Sequence, residues 1–147
     1  MHQFPERPPR NFGSLRTLPG LPGFLENRAD FDPKRKETYT HLSAYNKSSM
    51  ISSIIAVDTN KEVLLEVQNK FSMTKTYESA EQMFCNESID ILSIATSANE
   101  REYLINLAIE NNVKAIFSEK PLSVTYKSAI NIIKLCKSKN VHLAINH

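Results

Sequence analysis

An acid, a base and a proline follow one another at Glu119, Lys120 and Pro121, directly after the apolar run Ala115-Ile116-Phe117. The stretch KAIFSEKPLS (114–123) reads as a buried strand that ends in three residues a core strand has no use for. A lysine ammonium held at a strand end can stabilise an oxygen that gains negative charge, and it can orient a substrate hydroxyl. Pro121 restricts the residue before it to extended conformations, which aims the Lys120 side chain. A lysine taken alone is a solvated surface residue, and only its position at a strand end distinguishes this one. Two other strand-like runs stop in the same way. ISSIIAV (51–57) stops at Asp58, and IDILSIAT (89–96) ends at Thr96 and is followed by Ser97.

The elements that must position these groups alternate along the chain. Helical spacing of Tyr39, Leu42 and Tyr45 predicts a first helix, capped by Thr38 or Thr40. Strand 51–57 is followed by a helix over 60–71 with Asn60 as its N-cap, and then by a short edge strand at 74–77. Ser79 and Gln82 form a capping box for a helix over 79–85. Strand 89–96, helix 99–112, strand 113–118, helix 124–140 and strand 141–146 complete the pattern. Near-continuous apolar strands alternating with helices predict a parallel sheet covered on both faces, an α/β doubly wound, Rossmann-like fold. Ligands bind such sheets outside the carboxyl ends of the strands. Asp58, Thr96-Ser97 and Glu119-Lys120-Pro121 therefore converge on one edge.

Residues 1–37 have a different character and are expected as an irregular or disordered arm. They hold six of the seven prolines and all three glycines, with no convincing period. Residues 38–147 are the folded, partial domain. A formal charge of +2 with no concentrated basic face argues against nucleic-acid binding. No apolar run approaches the roughly 18 residues of a membrane span, and no export signal opens the chain. Cys85 and Cys136 are expected as buried, reduced thiols of a cytoplasmic protein. No metal site is expected.

From about Asp32 to His147 the sequence resembles the glucose–fructose oxidoreductase and inositol dehydrogenase (Gfo/Idh/MocA) family. The resemblance rests on Glu119-Lys120-Pro121 after an apolar strand, on IIAVD (54–58), DILSIAT (90–96) and LAINH (143–147), and on YTHLSAY (39–45). It implies a Rossmann domain followed by a larger α/β domain that shapes the substrate site. It also implies hydride transfer between a nicotinamide cofactor and a sugar, polyol or related hydroxyl compound. By the same resemblance Lys120 is the active-site lysine, with Glu119 and Pro121 beside it at the cofactor. Asp58 is the ribose-binding acid, which favours NAD over NADP because a carboxylate repels a 2′-phosphate. The alternative for Asp58 is a helix N-cap. Thr96 and Ser97 form the turn that passes the nicotinamide ribose. Family members often carry proline and then histidine there, and this chain has Ser97 and Arg101, which weakens any side-chain role at that turn. His41 and His147 are expected to be structural.

Two family features are missing from the sequence. One is the opening strand with its G-x-G-x-x-G turn, since Gly13, Gly20 and Gly23 do not make that fingerprint. The other is the substrate domain. The sheet should then be incomplete at its centre, and strands 51–57 and 89–96 must pair directly, accept a segment of the arm, or stay partly open. A pyrophosphate without the glycine loop loses charge-assisted bonds worth about 1.5–3 kcal/mol each. The sequence thus implies an incomplete cofactor domain of an NAD(P)-dependent oxidoreductase. The alternative is a non-catalytic nucleotide-binding or protein-interaction remnant. A homo-oligomer or a separate C-terminal domain is the protein partner this reading leaves open.

Overall fold

The computed structural model describes residues 10–15, 41–71 and 74–146. Six strands and five helices lie along them: β1 (Arg10–Leu15), α1 (His41–Asn46), β2 (Ile51–Val57), α2 (Lys61–Lys70), β3 (Thr74–Tyr77), α3 (Ala80–Asn86), β4 (Ile91–Ile94), α4 (Ala98–Glu110), β5 (Ala115–Ser118), α5 (Tyr126–Ser138) and β6 (His142–Ile145). The strands form one sheet in the order β3-β2-β1-β4-β5-β6, with every neighbouring pair parallel. This is the Rossmann order, with a reversal of direction on either side of β1.

Local chemistry explains where the helices begin and end. Asn60, Ser79 and Thr125 have extended backbones, and their side chains accept the N–H groups of Glu62, Gln82 and Ser128. Each satisfies a donor that the first helical turn leaves orphaned. α4 and α5 end alike. Asn112 and Asn140 take positive φ (60° and 55°), and Val113 and Val141 donate back to the carbonyls of Ala108 and Cys136. Glycine usually fills this left-handed position, with asparagine the next choice, and the chain has no glycine after Gly23.

Handedness divides the helices between the two faces. Right-handed crossovers running from β1 toward β3 lie on one face, and those running back through β4 to β6 lie on the other. The larger core accordingly gathers alternate sheet residues Ile55, Val57, Leu92, Ile94 and Ile116 under α3, α4 and α5, with Met83, Ile105 and Ile132 among their contributions. The opposite face carries a smaller cluster of Leu42, Ile54, Ala56, Val67 and Phe71, built with α1 and α2.

The central position is filled from the arm, the second of the three outcomes open to the sheet. Arg10–Leu15 pairs with β2 on one side and β4 on the other. The segment RNFGSL has no β-branched residue and contains a glycine, so its own propensity does not mark it as a strand. Hydrogen-bonding groups on the inner edges of β2 and β4 supply a template that local sequence does not reveal. The rest of the expected irregular arm, including Gly20 and Gly23, lies outside the described residues.

A second correction concerns Cys85, which is exposed, while Cys136 is buried as expected. α3 buries Ala80 and Met83, one turn apart, and this leaves Cys85 on its outer side. Among the described residues no helix is long and apolar enough to cross a membrane.

Candidate functional site

Parallel register aligns the strand ends. Val57 pairs with Leu15 and with Tyr77, Leu15 with Ile94, Ile94 with Ser118, and Ser118 with Ile145. The next residues in each chain therefore stand along one rim: Asp58 after β2, Ala95-Thr96 after β4, Glu119-Lys120 after β5 and Asn146 after β6. The convergence expected from the apolar runs holds in the structure.

At the β2 end Asp58 is buried, with 4% exposure, and its Oδ1 accepts the Asn60 N–H at 2.8 Å. The Asp58 N–H donates to the Tyr77 carbonyl at 3.2 Å. The N-cap of α2 is Asn60, not Asp58, so the carboxylate is fixed beside the cap rather than spent as the cap.

The β4 and β5 ends are joined by side chains. Thr96 is buried, and Ser97 is the exposed N-cap residue of α4 with no side-chain capping bond. One turn into α4, Arg101 is 5% exposed. Its Nη2 donates to the Thr96 carbonyl at 2.6 Å, and its Nη1 donates to the Pro121 carbonyl. Burial pulls the guanidinium pKa down, and the nearby Glu119 charge opposes that. A buried cation thus spans both rim turns. In sequence Arg101 stands between Glu100 and Glu102 in a polar first turn, so nothing local marks it as buried or names its partners.

Glu119 donates its N–H to the Ile94 carbonyl at 2.9 Å, continuing the ladder one residue past β5. Its Oε1 accepts from Asn146 Nδ2 at 2.7 Å and lies 3.3 Å from His41 Nε2. His41 Nδ1 is 2.7 Å from Ser93 Oγ, and Tyr45 also bonds to Ser93. The carboxylate assigns the tautomer: Nε2 carries the proton and donates to Glu119, and Nδ1 accepts from the Ser93 hydroxyl. Burial lowers the His41 pKa, and Glu119 partly offsets this through its charge and hydrogen bond. The imidazole packs 4.8 Å from the Phe117 ring centroid. His41, expected to be structural, is bonded directly to the acid of the Glu-Lys-Pro triplet. His147 lies outside the described residues.

Lys120 and Pro121 are both exposed on the rim, joined by a cis peptide bond. The described rim suits a dinucleotide at two places. A fixed carboxylate at the β2 end can accept ribose hydroxyls, and an exposed ammonium stands beyond β5. The phosphate turn of this fold would follow β1, in residues 16–40, which lie outside the described residues. Among the described residues no cluster of His, Cys, Asp and Glu could hold a metal ion.

A family model described as "Oxidoreductase family, NAD-binding Rossmann fold" matches residues 36–147. The D-apiose dehydrogenase of Paraburkholderia graminis is 27% identical over 106 residues, 72% of this chain and 28% of that protein. The chain thus spans little more than a quarter of this curated relative. Myo-inositol 2-dehydrogenase from Lactobacillus plantarum superposes with a TM-score of 0.68 at 16% identity, covering 94% of this chain and 36% of that one. The WlbA dehydrogenase from Bordetella pertussis, solved with NADH and UDP-GlcNAcA, superposes with a TM-score of 0.71 at 16% identity over 94% of this chain and 35% of that one. These structures establish the shared fold. The family match covers most of the chain, and its Glu-Lys-Pro triplet stands on the rim where this fold binds ligands. The chain belongs to the Gfo/Idh/MocA family of oxidoreductases, whose Rossmann fold is NAD-binding.

Proposed function

We propose that this chain is the cofactor half of an NAD-dependent dehydrogenase that acts on a hydroxyl of a sugar or polyol. The observation that carries the reading is the common rim of Asp58, Thr96 and Glu119-Lys120, set by the parallel register of β2, β4 and β5. The sugar and polyol dehydrogenases among its relatives support the substrate class.

In this reading Asp58 accepts hydrogen bonds from the adenosine ribose, and its charge selects NAD over NADP. Thr96 and Ser97 line the nicotinamide ribose through their backbone, and Glu119 and Pro121 set the turn that carries Lys120. When bound, the nicotinamide accepts or donates the hydride. The Lys120 ammonium stabilises negative charge on the reacting oxygen and orients the substrate hydroxyl. A second domain or a partner chain shapes the substrate site. The reading puts the protein in the cytoplasm, where Cys85 and Cys136 stay reduced.

Titration with NADH tests the cofactor half directly. The chain has no tryptophan, so cofactor emission is unobscured. Saturable binding that weakens in Asp58→Ala and persists in Lys120→Ala is the expected result. Lys120→Ala should abolish oxidation of sugars and polyols by the active assembly. Absence of saturable NADH binding by the full chain would overturn the reading.

A further inference from the structure

Arg101 is an unusual use of a charged residue. It is 5% exposed, yet both carbonyls it holds are neutral backbone groups, and its Nε has no hydrogen-bond partner. Burying a cation is costly unless its partners are well placed. An apolar residue would fill the same space without that cost. The cation is therefore better explained by what its two arms join.

Those arms join two turns that have little else in common. The β4–β5 ladder continues to the bond from Glu119 N–H to the Ile94 carbonyl. Beyond it the chains part, one into α4 through Thr96 and Ser97, the other through Lys120 and Pro121. Pro121 has no N–H to donate. The planar guanidinium presents two donors in a fixed fork, so the separation of its acceptors becomes a fixed distance. Glu119, next to Lys120, lies close enough for its charge to favour the guanidinium.

We propose that Arg101 is the positioning residue of the Lys120 turn: its guanidinium fastens the Pro121 carbonyl to the Thr96 carbonyl and thereby sets the lysine against the turn after β4. The proposal rests on the dehydrogenase reading for its functional consequence, because that reading puts the reacting groups between these two turns. The clamp itself does not depend on bound cofactor.

Two variants of the full chain test it. Arg101→Met keeps the apolar length and removes both donors. Arg101→Lys keeps the charge and removes the fork. Amide hydrogen exchange is followed by mass spectrometry without cofactor, and NADH affinity is measured beside it. In Arg101→Met, exchange should accelerate together at 95–97 and 119–123 while α2 and β3 stay unchanged. NADH affinity should fall by up to about tenfold, because the Thr96-Ser97 backbone proposed to line the nicotinamide ribose is then no longer pre-organised. Arg101→Lys should recover only part of both effects, because a point charge cannot span two acceptors. Loosening of one turn alone, full recovery by lysine, or uniform loosening of all elements would overturn the proposal. If Arg101→Met fails to fold, Arg101→Lys still decides: wild-type exchange at both turns would overturn the clamp. Loosened turns with unchanged NADH affinity would overturn the positioning role. Lack of NADH binding by the wild type would instead defeat the dehydrogenase reading, and the exchange result would stand separately.

Discussion

The two sides of the sheet hold their rim residues by opposite means. On the β2 side Asp58 is fixed by the amide of Asn60, two residues on, and Asn60 caps α2 through Glu62. On the β4–β5 side His41 reaches Ser93 across 52 residues of sequence, Asn146 reaches Glu119 across 27, and Arg101 reaches Pro121 across 20. Among the described residues the cores differ in the same sense: five buried residues cluster with α1 and α2, and fifteen with α3, α4 and α5. The Asp58 side chain is thus held chiefly by the adjoining turn, and the Lys120 turn by contacts between segments distant in sequence. Damage to the large core should be felt at Lys120 before it is felt at Asp58.

The largest effect should come from the cores themselves. Leu92→Ala removes a fully buried side chain from the larger cluster and should cost about 3–5 kcal/mol, against roughly 1–3 kcal/mol for Val67→Ala in the smaller one. Denaturant unfolding of both variants measures the contrast, and equal losses would break it. Next in size is Asp58→Asn, which keeps an acceptor for the Asn60 amide but loses the charge. NADH affinity should fall about tenfold to a hundredfold, with the preference over NADPH narrowed, because a charged acceptor is replaced by a neutral one. Paired titrations with the two cofactors check this.

The His41 link gives a pH dependence of smaller size. Burial lowers the folded-state pKa of His41 below its ordinary 6.5, so the unfolded chain binds the proton more readily. Its contribution to stability is complete above 6.5 and is lost as pH falls through the folded pKa, with a slope of at most about 1.4 kcal/mol per pH unit. His41→Gln should flatten that part of the stability profile and free Glu119, with little change at Asp58. The smallest effect belongs to the local side. Asn60→Ala should cost about 1 kcal/mol through the lost cap, and exchange at α2 should accelerate while the Lys120 turn stays unchanged.

The same contrast explains which features were readable before the fold was known. Asn60 and Ser79 act within three residues of themselves, so the types and spacing at 60–62 and 79–82 suffice to place those two helix starts. Thr125 caps α5 by the same local chemistry, and that helix begins at Tyr126, two residues inside the expected start at 124. The strand ends that carry Asp58, Thr96 and Glu119-Lys120-Pro121 were visible because each follows an apolar run. The exposure of Cys85 was not legible, because an apolar neighbourhood in sequence does not say which side of a helix faces the core. The bonds of Arg101 and His41 are not legible in sequence, since Ser93, Glu119 and Pro121 all lie far from them along the chain.

The order of strands and helices, the caps and the polar group after each apolar run follow from the amino-acid string, because each depends on neighbours within a turn or two. The strand state of Arg10–Leu15 and the bonds of His41 and Arg101 arise only when parallel register and right-handed crossovers bring distant segments together. A residue without strong local preference takes its conformation and its hydrogen-bond partners from whatever the fold sets beside it.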